Sequence, residues 1–152
     1  MKTSAIITNK TSTILSVTPI WLDHDFLRTI CHEPSSNKER WKLVTASGLV
    51  WATKVLKRHQ IPIAICERDL EPGTWRDLLE QTAMMPHSPL LIVTSRLADE
   101  RLWSEVLNEG GYDVLAKPFD RTEVIRVVGG AFRHWQNQHE AWSIRRVWRV
   151  AS

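Results

Sequence analysis

The sequence predicts an α/β domain in which one five-stranded parallel sheet is covered by helices on both faces. Three short runs carry that prediction. IAICE (Ile63 to Glu67) and LLIVTS (Leu90 to Ser95) are apolar without alternation over most of their length, and DVLA within YDVLAKPF (Tyr112 to Phe119) has the same character. Such runs fit strands buried on both faces of a parallel sheet. A second observation is that amphipathic helical patterns alternate with strand patterns along the chain, joined by short connections, as right-handed crossovers within one sheet require. Each run also ends in polar side chains: Glu67, Arg68 and Asp69 after the first, Thr94 and Ser95 after the second, Lys117 after the third. Open α/β sheets build their sites at the carboxyl ends of the strands. An acid, a hydroxyl and a lysine are therefore expected to meet at one sheet edge.

The remaining elements follow in order. Residues 1–12 are polar, rich in Thr and Ser and aperiodic, and are expected to form a flexible N-terminus. Thr13 to Val17 is β-rich and stops at Thr18-Pro19, where proline cannot continue a central ladder, which makes it the first strand. From Trp21, the apolar residues Leu22, Phe26, Leu27 and Ile30 recur at helical spacing up to a polar loop around Pro34 to Asn37. Trp41 to Thr45 alternates and reads as a second strand nearer the sheet edge. Ser47-Gly48 opens a helix whose inner side carries Leu49, Ala52, Val55 and Leu56, and Pro62 closes it ahead of Ile63.

Past the Pro72-Gly73 break, Thr74 with Asp77 forms a capping-box pattern, and Trp75, Leu78, Leu79 and Thr82 or Ala83 supply the inner stripe. The Pro86 to Pro89 turn leads into Leu90 to Ser95. Leu97 to Asn108 is amphipathic, with Leu102, Trp103, Val106 and Leu107 assigned inside and Gly110-Gly111 as the stop. After Tyr112 to Ala116, Asp120 with Glu123 caps a last helix whose Val124, Val127, Val128, Ala131 and Trp135 face inward. No internal repeat interrupts this order.

A chain of 152 residues has room for one full-sized core and a short appendage. Ordinary apolar and charged fractions, 43% and 24%, argue against disorder. No apolar run approaches bilayer length, and Met1 to Lys10 lacks the apolar core of a secretion signal, so a cytoplasmic protein with no membrane partner is expected. Cys31 and Cys66 are too few and too far apart for a disulfide framework or a metal site, and Cys66 reads as a small packing residue. Formal net charge is +3, yet residues 1–132 hold 16 basic and 16 acidic side chains, while 133–152 hold four Arg and one Glu. A neutral body with a small basic tail argues against a dedicated nucleic-acid domain.

From Thr13 to Trp135 the chain resembles the receiver domain of bacterial two-component response regulators. The joint spacing of IAICE, LLIVTS, Gly110-Gly111 and YDVLAKPF carries the resemblance. It implies a flavodoxin-like sheet in the order 2-1-3-4-5. A working receiver has a nucleophilic aspartate after strand three and two acids after strand one that hold Mg2+. It also has a Thr or Ser after strand four and a Lys after strand five, both directed at the phosphoryl oxygens. By that resemblance Thr94 matches the hydroxyl, and Lys117 with Pro118 matches the lysine and its proline.

The other half departs from the pattern. Thr18 and Pro19 stand where the metal-binding acids are expected, and neither supplies a carboxylate. Glu67 falls at the phospho-acceptor position, with Asp69 as the alternative if the strand runs two residues longer. Glutamate there normally mimics the charged state rather than accepting a phosphoryl group. Val114 takes the usual aromatic switch position, while Tyr112 lies two residues earlier. Asp23 and Asp25 fall in the first helix and read as solvated or capping charges, not replacement metal ligands.

The domain plan is then a flexible 1–12, a receiver-like 13–137 and a basic extension 138–152. In the extension, Val128, Trp135 and Trp142 are seven apart, so the last helix can run on past the body, although Gly129-Gly130 weakens that course by about 1 kcal/mol per glycine. An extended strand or a partly ordered arm is the alternative. Trp135, Trp142 and Trp148 with Arg145, Arg146 and Arg149 suit packing on the body or a homodimer first, a partner protein second, and nucleic acid last. His134 and His139 are five apart, which is not same-face spacing for a metal pair.

The expected function is a stand-alone, divergent receiver that works by protein-protein contact without phosphorylation. Its face would lie around the fourth helix, fifth strand and fifth helix. The expected partner is a signalling protein, either a histidine kinase or a downstream effector. No catalytic residue, metal or cofactor is expected. The alternative is a phospho-accepting regulator that uses Asp69 or Glu67 with Mg2+, and a further alternative is nucleic-acid binding through the tail. A Glu67–Lys117 ion pair would lock the first form in one arrangement.

Overall fold

The computed structural model describes residues 12–32 and 41–151, with side chains described up to residue 140. The expected N-terminal segment, apart from Ser12, and the expected polar loop around Pro34 to Asn37 lie outside the described residues. So do the side chains of Trp142, Arg145, Arg146, Trp148 and Arg149.

Five parallel strands lie in the order β2-β1-β3-β4-β5. They are β1 (Ser12–Val17), β2 (Trp41–Ala46), β3 (Ile63–Glu67), β4 (Leu90–Ser95) and β5 (Asp113–Ala116). The helices are α1 (Trp21–His32), α2 (Leu49–Arg58), α3 (Trp75–Ala83), α4 (Glu100–Glu109) and α5 (Arg121–Ala151). This is the flavodoxin-like, doubly wound arrangement, and β2 is an edge strand as its alternation predicts.

Strand side chains alternate between two cores. Leu15, Val17, Ala64, Cys66, Leu91, Val93 and Val114 pack with Ala52 and Leu56 of α2, Trp75 and Leu78 of α3, and Leu102 and Val106 of α4. Ile14, Ile63, Ile65, Ile92 and Leu115 pack on the other face with Leu27, Ile30 and Cys31 of α1 and with Val124, Val127, Val128 and Phe132 of α5. Continuing that period of two past each strand end puts Ser16, Thr18, Glu67, Thr94 and Lys117 on the α1/α5 face. The pleat alone thus collects the polar ends on one side of the sheet.

Helix α1 differs from its sequence reading. Leu22 and Phe26, expected inside, are 62% and 37% exposed, while Cys31 is buried. The inner stripe is Asp23, His24, Leu27, Ile30 and Cys31, because α1 begins directly above the sheet edge and its first turn faces polar groups there. Phe26 lies against Phe119 instead, with ring centroids 5.5 Å apart.

Helix α4 begins later than predicted. Asp99 caps it by accepting from the Leu102 amide at 2.9 Å, and Leu97 is left in the preceding turn, where its amide donates to Ser95 Oγ. Leu97 and Trp103, assigned inside, are 70% and 50% exposed. The stop after α4 is as expected: Gly110 adopts φ 105°, and a Cβ on Gly111 would lie 2.4 Å from Val106.

The capping box at Thr74 and Asp77 forms as predicted. Ala83 is exposed and Thr82 is buried, which settles the end of the α3 stripe. Asp120 caps α5 through Thr122, accepting from its amide at 3.1 Å. Helix α5 then passes through Gly129-Gly130 without a break to Ala151, so the backbone takes the helical course. Position 130 sits against Tyr112, whose hydroxyl would be 3.3 Å from an added Cβ.

Candidate functional site

The register brings three strand ends together. Glu67 pairs with Thr94 across β3 and β4, and Thr94 pairs with Leu115 across β4 and β5, which puts Lys117 two residues further on the same face. The backbone continues past the ladders: the Arg68 amide donates to Thr94 O at 2.9 Å, and the Lys117 amide donates to Ser95 O at 3.0 Å. The strand ends are therefore held at fixed spacing before any side chain is considered.

Lys117 Nζ lies 2.6 Å from Glu67 Oε2 and 2.8 Å from Asp23 Oδ2. Thr94 Oγ1 donates to the same Glu67 oxygen at 2.8 Å. The three charged side chains are 6%, 12% and 15% exposed for Lys117, Glu67 and Asp23. Burial works against the Lys117 charge, but hydrogen bonds to Asp23 and Glu67 and the charges of both carboxylates outweigh it and hold the amine above the ordinary lysine value. An ammonium bridging two carboxylates, with a hydroxyl on one of them, is a satisfied buried network.

The β1 end is built differently. Thr18 is buried, its hydroxyl accepts from the Ile20 amide at 3.1 Å, and its amide donates to Ala46 O. Pro19 is exposed. His24 reaches back from α1, with Nε2 3.0 Å from Thr18 O and Nδ1 2.8 Å from Ser16 Oγ. The carbonyl can only accept, so Nε2 carries the proton and the Ser16 hydroxyl donates to Nδ1. Burial disfavours the imidazolium and lowers the His24 pKa, outweighing the Thr18 hydrogen bond and the Asp23 charge; Arg28 adds to the lowering.

Of the residues singled out in the sequence, Glu67, Thr94 and Lys117 converge. Asp69 does not: it is exposed and bridges to Thr74 beyond the strand. Asp25 is exposed, but Asp23 corrects its sequence reading, since it is a buried partner of Lys117 rather than a solvated or capping charge. Pro118 follows Lys117 through a cis peptide and lines an open cleft with Leu22, Asp23, Phe26, Arg96 and Phe119. Val114 is buried toward α4, while Tyr112 faces α5, its ring centroid 5.6 Å from that of His134. Trp135 is half-buried, and His139 stacks on it at 4.4 Å. Cys66 is buried, and burial with the adjacent Glu67 charge pushes its thiol far up; burial pushes Cys31 up to about 11. Neither is poised to react.

A divalent cation does not fit these residues. Thr18 has its hydroxyl and carbonyl committed to hydrogen bonds, and Asp23 and Glu67 already share an ammonium. Among the described residues, no three His, Cys, Asp or Glu side chains gather as a metal site. Sequence reasoning missed Asp23, His24 and Ser16, whose only signal was that two polar residues precede Leu27 at helical spacing.

No protein-family model matches the sequence, and no curated protein matches it. Solved structures do match. The signal receiver domain of an HD domain-containing protein from Pseudomonas fluorescens Pf-5 superposes with a TM-score of 0.74 at 21% identity, over 87% of this chain and 94% of that one. The chain has the receiver-domain fold. The receiver domain of Francisella response regulator 1452 gives a TM-score of 0.70 at 17% identity, over 82% and 98% of the two chains. The Saccharomyces cerevisiae Ssk1 receiver domain, solved with the histidine phosphotransfer signalling protein Ypd1, matches with a TM-score of 0.65 at 12% identity, over 78% and 86%. Among the described residues, no helix is long and apolar enough to cross a membrane.

Proposed function

We propose that this chain is a divergent receiver domain in two-component signalling that acts by protein-protein contact and is not switched by aspartyl phosphorylation. The observation that carries the reading is the Asp23–Lys117–Glu67 cluster with Thr94. Glu67 stands at the acceptor end of β3, its Oε2 accepts from both Lys117 and Thr94, and the β1 end supplies no metal-binding acid pair. A glutamate tied to lysine and hydroxyl holds the contacts that a charged acceptor makes in a receiver, in one fixed arrangement and without chemistry of its own.

The partner is a cytoplasmic signalling protein, a histidine kinase or a downstream effector. The contact face lies around α4, β5 and α5, where Leu97 and Trp103 are open to solvent. The domain is not an enzyme in this reading and holds no cofactor. The solved Ssk1 complex supports protein contact as a mode open to this fold.

The test is intact mass after incubation with Mg2+ and a small-molecule phosphodonor, with Glu67→Gln and Asp69→Asn alongside the native chain. The expected result is no added phosphoryl mass in any of the three. A phosphoryl adduct on the native chain that disappears in Asp69→Asn or in Glu67→Gln would identify a working phospho-acceptor and overturn the reading.

A further inference from the structure

The misfit between this site and a divalent cation has a definite source, the amine of Lys117. We infer that the Lys117 ammonium is a built-in cation that keeps hard divalent metals out of this sheet edge. Asp23 and Glu67 then form a latent divalent-cation site that opens only when the ammonium is removed.

The geometry supports this in three ways. The ammonium sits between one carboxylate from α1 and one from β3, 2.8 Å and 2.6 Å from their nearest oxygens. Two carboxylates on neighbouring elements are what an oxygen-seeking cation requires, and a metal binding both would lie against the lysine charge. Glu67 Oε2 also receives the Thr94 hydroxyl, so the oxygen nearest Lys117 is engaged by two donors. Finally, Lys117 is tethered and 6% exposed, so it competes as an intramolecular ligand at high effective concentration against a metal that sheds its water reluctantly.

This proposal deepens the reading of the β3 edge given above and rests on it for the absence of metal chemistry. It does not depend on the partner. It assigns Lys117 the charge that the metal would carry, and Asp23 the role of joining α1 to that charge.

The test follows Mn2+ line broadening in amide spectra and the unfolding temperature in Mg2+. It uses the native chain, Lys117→Met and Lys117→Met/Asp23→Asn. The expected outcome is no site-specific broadening in the native chain. Lys117→Met should show broadening centred on Asp23 and Glu67 and a Mg2+-dependent rise in unfolding temperature, both lost in the double variant. A folded Lys117→Met that gains neither signal overturns the inference.

Should Lys117→Met fail to fold, the side-chain nitrogen resonance of Lys117 in the native chain decides. A signal indifferent to Mg2+ supports the built-in cation, and one displaced by Mg2+ overturns it. A phosphoryl adduct in the mass experiment would remove the proposed function without moving this resonance, so the two failures are distinguishable.

Discussion

The two halves of the sheet edge are built on opposite principles. At β3, β4 and β5 the chain ends its strands in Glu67, Thr94 and Lys117 and joins them through charge. At β1 it ends in Thr18-Pro19 and uses hydroxyl, carbonyl and imidazole to start a helix. One half is an electrostatic cluster, and the other is a turn. Asp23 connects them, because it belongs to the helix that the turn starts and pairs with the lysine of the cluster. The difference teaches that a shared sheet edge does not impose shared chemistry: backbone register brings the side chains to the place, and residue type decides what is assembled there.

The strongest way to break the contrast is to remove the charge that the cluster is built on. Lys117→Met leaves Asp23 and Glu67 as two carboxylates that are 15% and 12% exposed, with no cation between them. Loss of one partner from a buried pair costs about 3–5 kcal/mol. A urea unfolding midpoint should fall accordingly with little change in slope, and Lys117→Met/Glu67→Gln should recover part of the loss, because one uncompensated charge is gone. A shift below about 1 kcal/mol would mean that solvent screens the cluster, as it does for surface pairs.

The β1 half predicts a smaller effect. Thr18→Val keeps the buried shape but removes the acceptor of the Ile20 amide, so it should cost about 1 kcal/mol, the usual value of a helix-start hydrogen bond. Amide shifts should stay near residues 18–24 and leave Thr94 unchanged. Spread of those shifts to Thr94 would show that Asp23 transmits strain from the turn to the cluster, and the two halves would then be one unit.

The same contrast explains what could be read from the sequence. Strands β3, β4 and β5 were legible because each has an unbroken apolar run and carries its site residue at the end, so pattern and position agree. The Glu67–Lys117 pair followed from that alone. Asp23 and His24 were not legible, because they occupy the inward stripe of α1 before its apolar part begins, and periodicity read from Leu22 and Phe26 turned the helix the wrong way. Trp103 failed for a related reason: it neighbours Leu102 in sequence but lies off the Leu102–Val106 line. The passage of α5 through Gly129-Gly130 depends on the tight fit of Tyr112 beside position 130, which no local propensity records.

The finest probe of the contrast is protonation of His24. Its folded-state pKa lies below the ordinary value of 6.5, chiefly because burial disfavours the imidazolium. The unfolded chain therefore takes up the proton first as pH falls. The contribution of neutral His24 is fully present above about 6.5, its unfolded pKa, and is lost as pH falls through the lower folded value. Stability should decline over that window, more in the native chain than in His24→Gln, and the imidazole resonances of His24 should titrate below those of exposed His32 and His59. Lys117 works in the opposite direction: its raised pKa keeps the cluster intact up to about 10.4, the unfolded lysine value, and its contribution disappears only as pH rises through the folded value. Acid should thus loosen the β1 turn while the cluster's lysine stays charged, and alkali should discharge the cluster while His24 stays neutral. A His24 titration at or above 6.5 would mean that the Asp23 charge reaches the imidazole more strongly than burial does, and the turn would have to be counted with the electrostatic half.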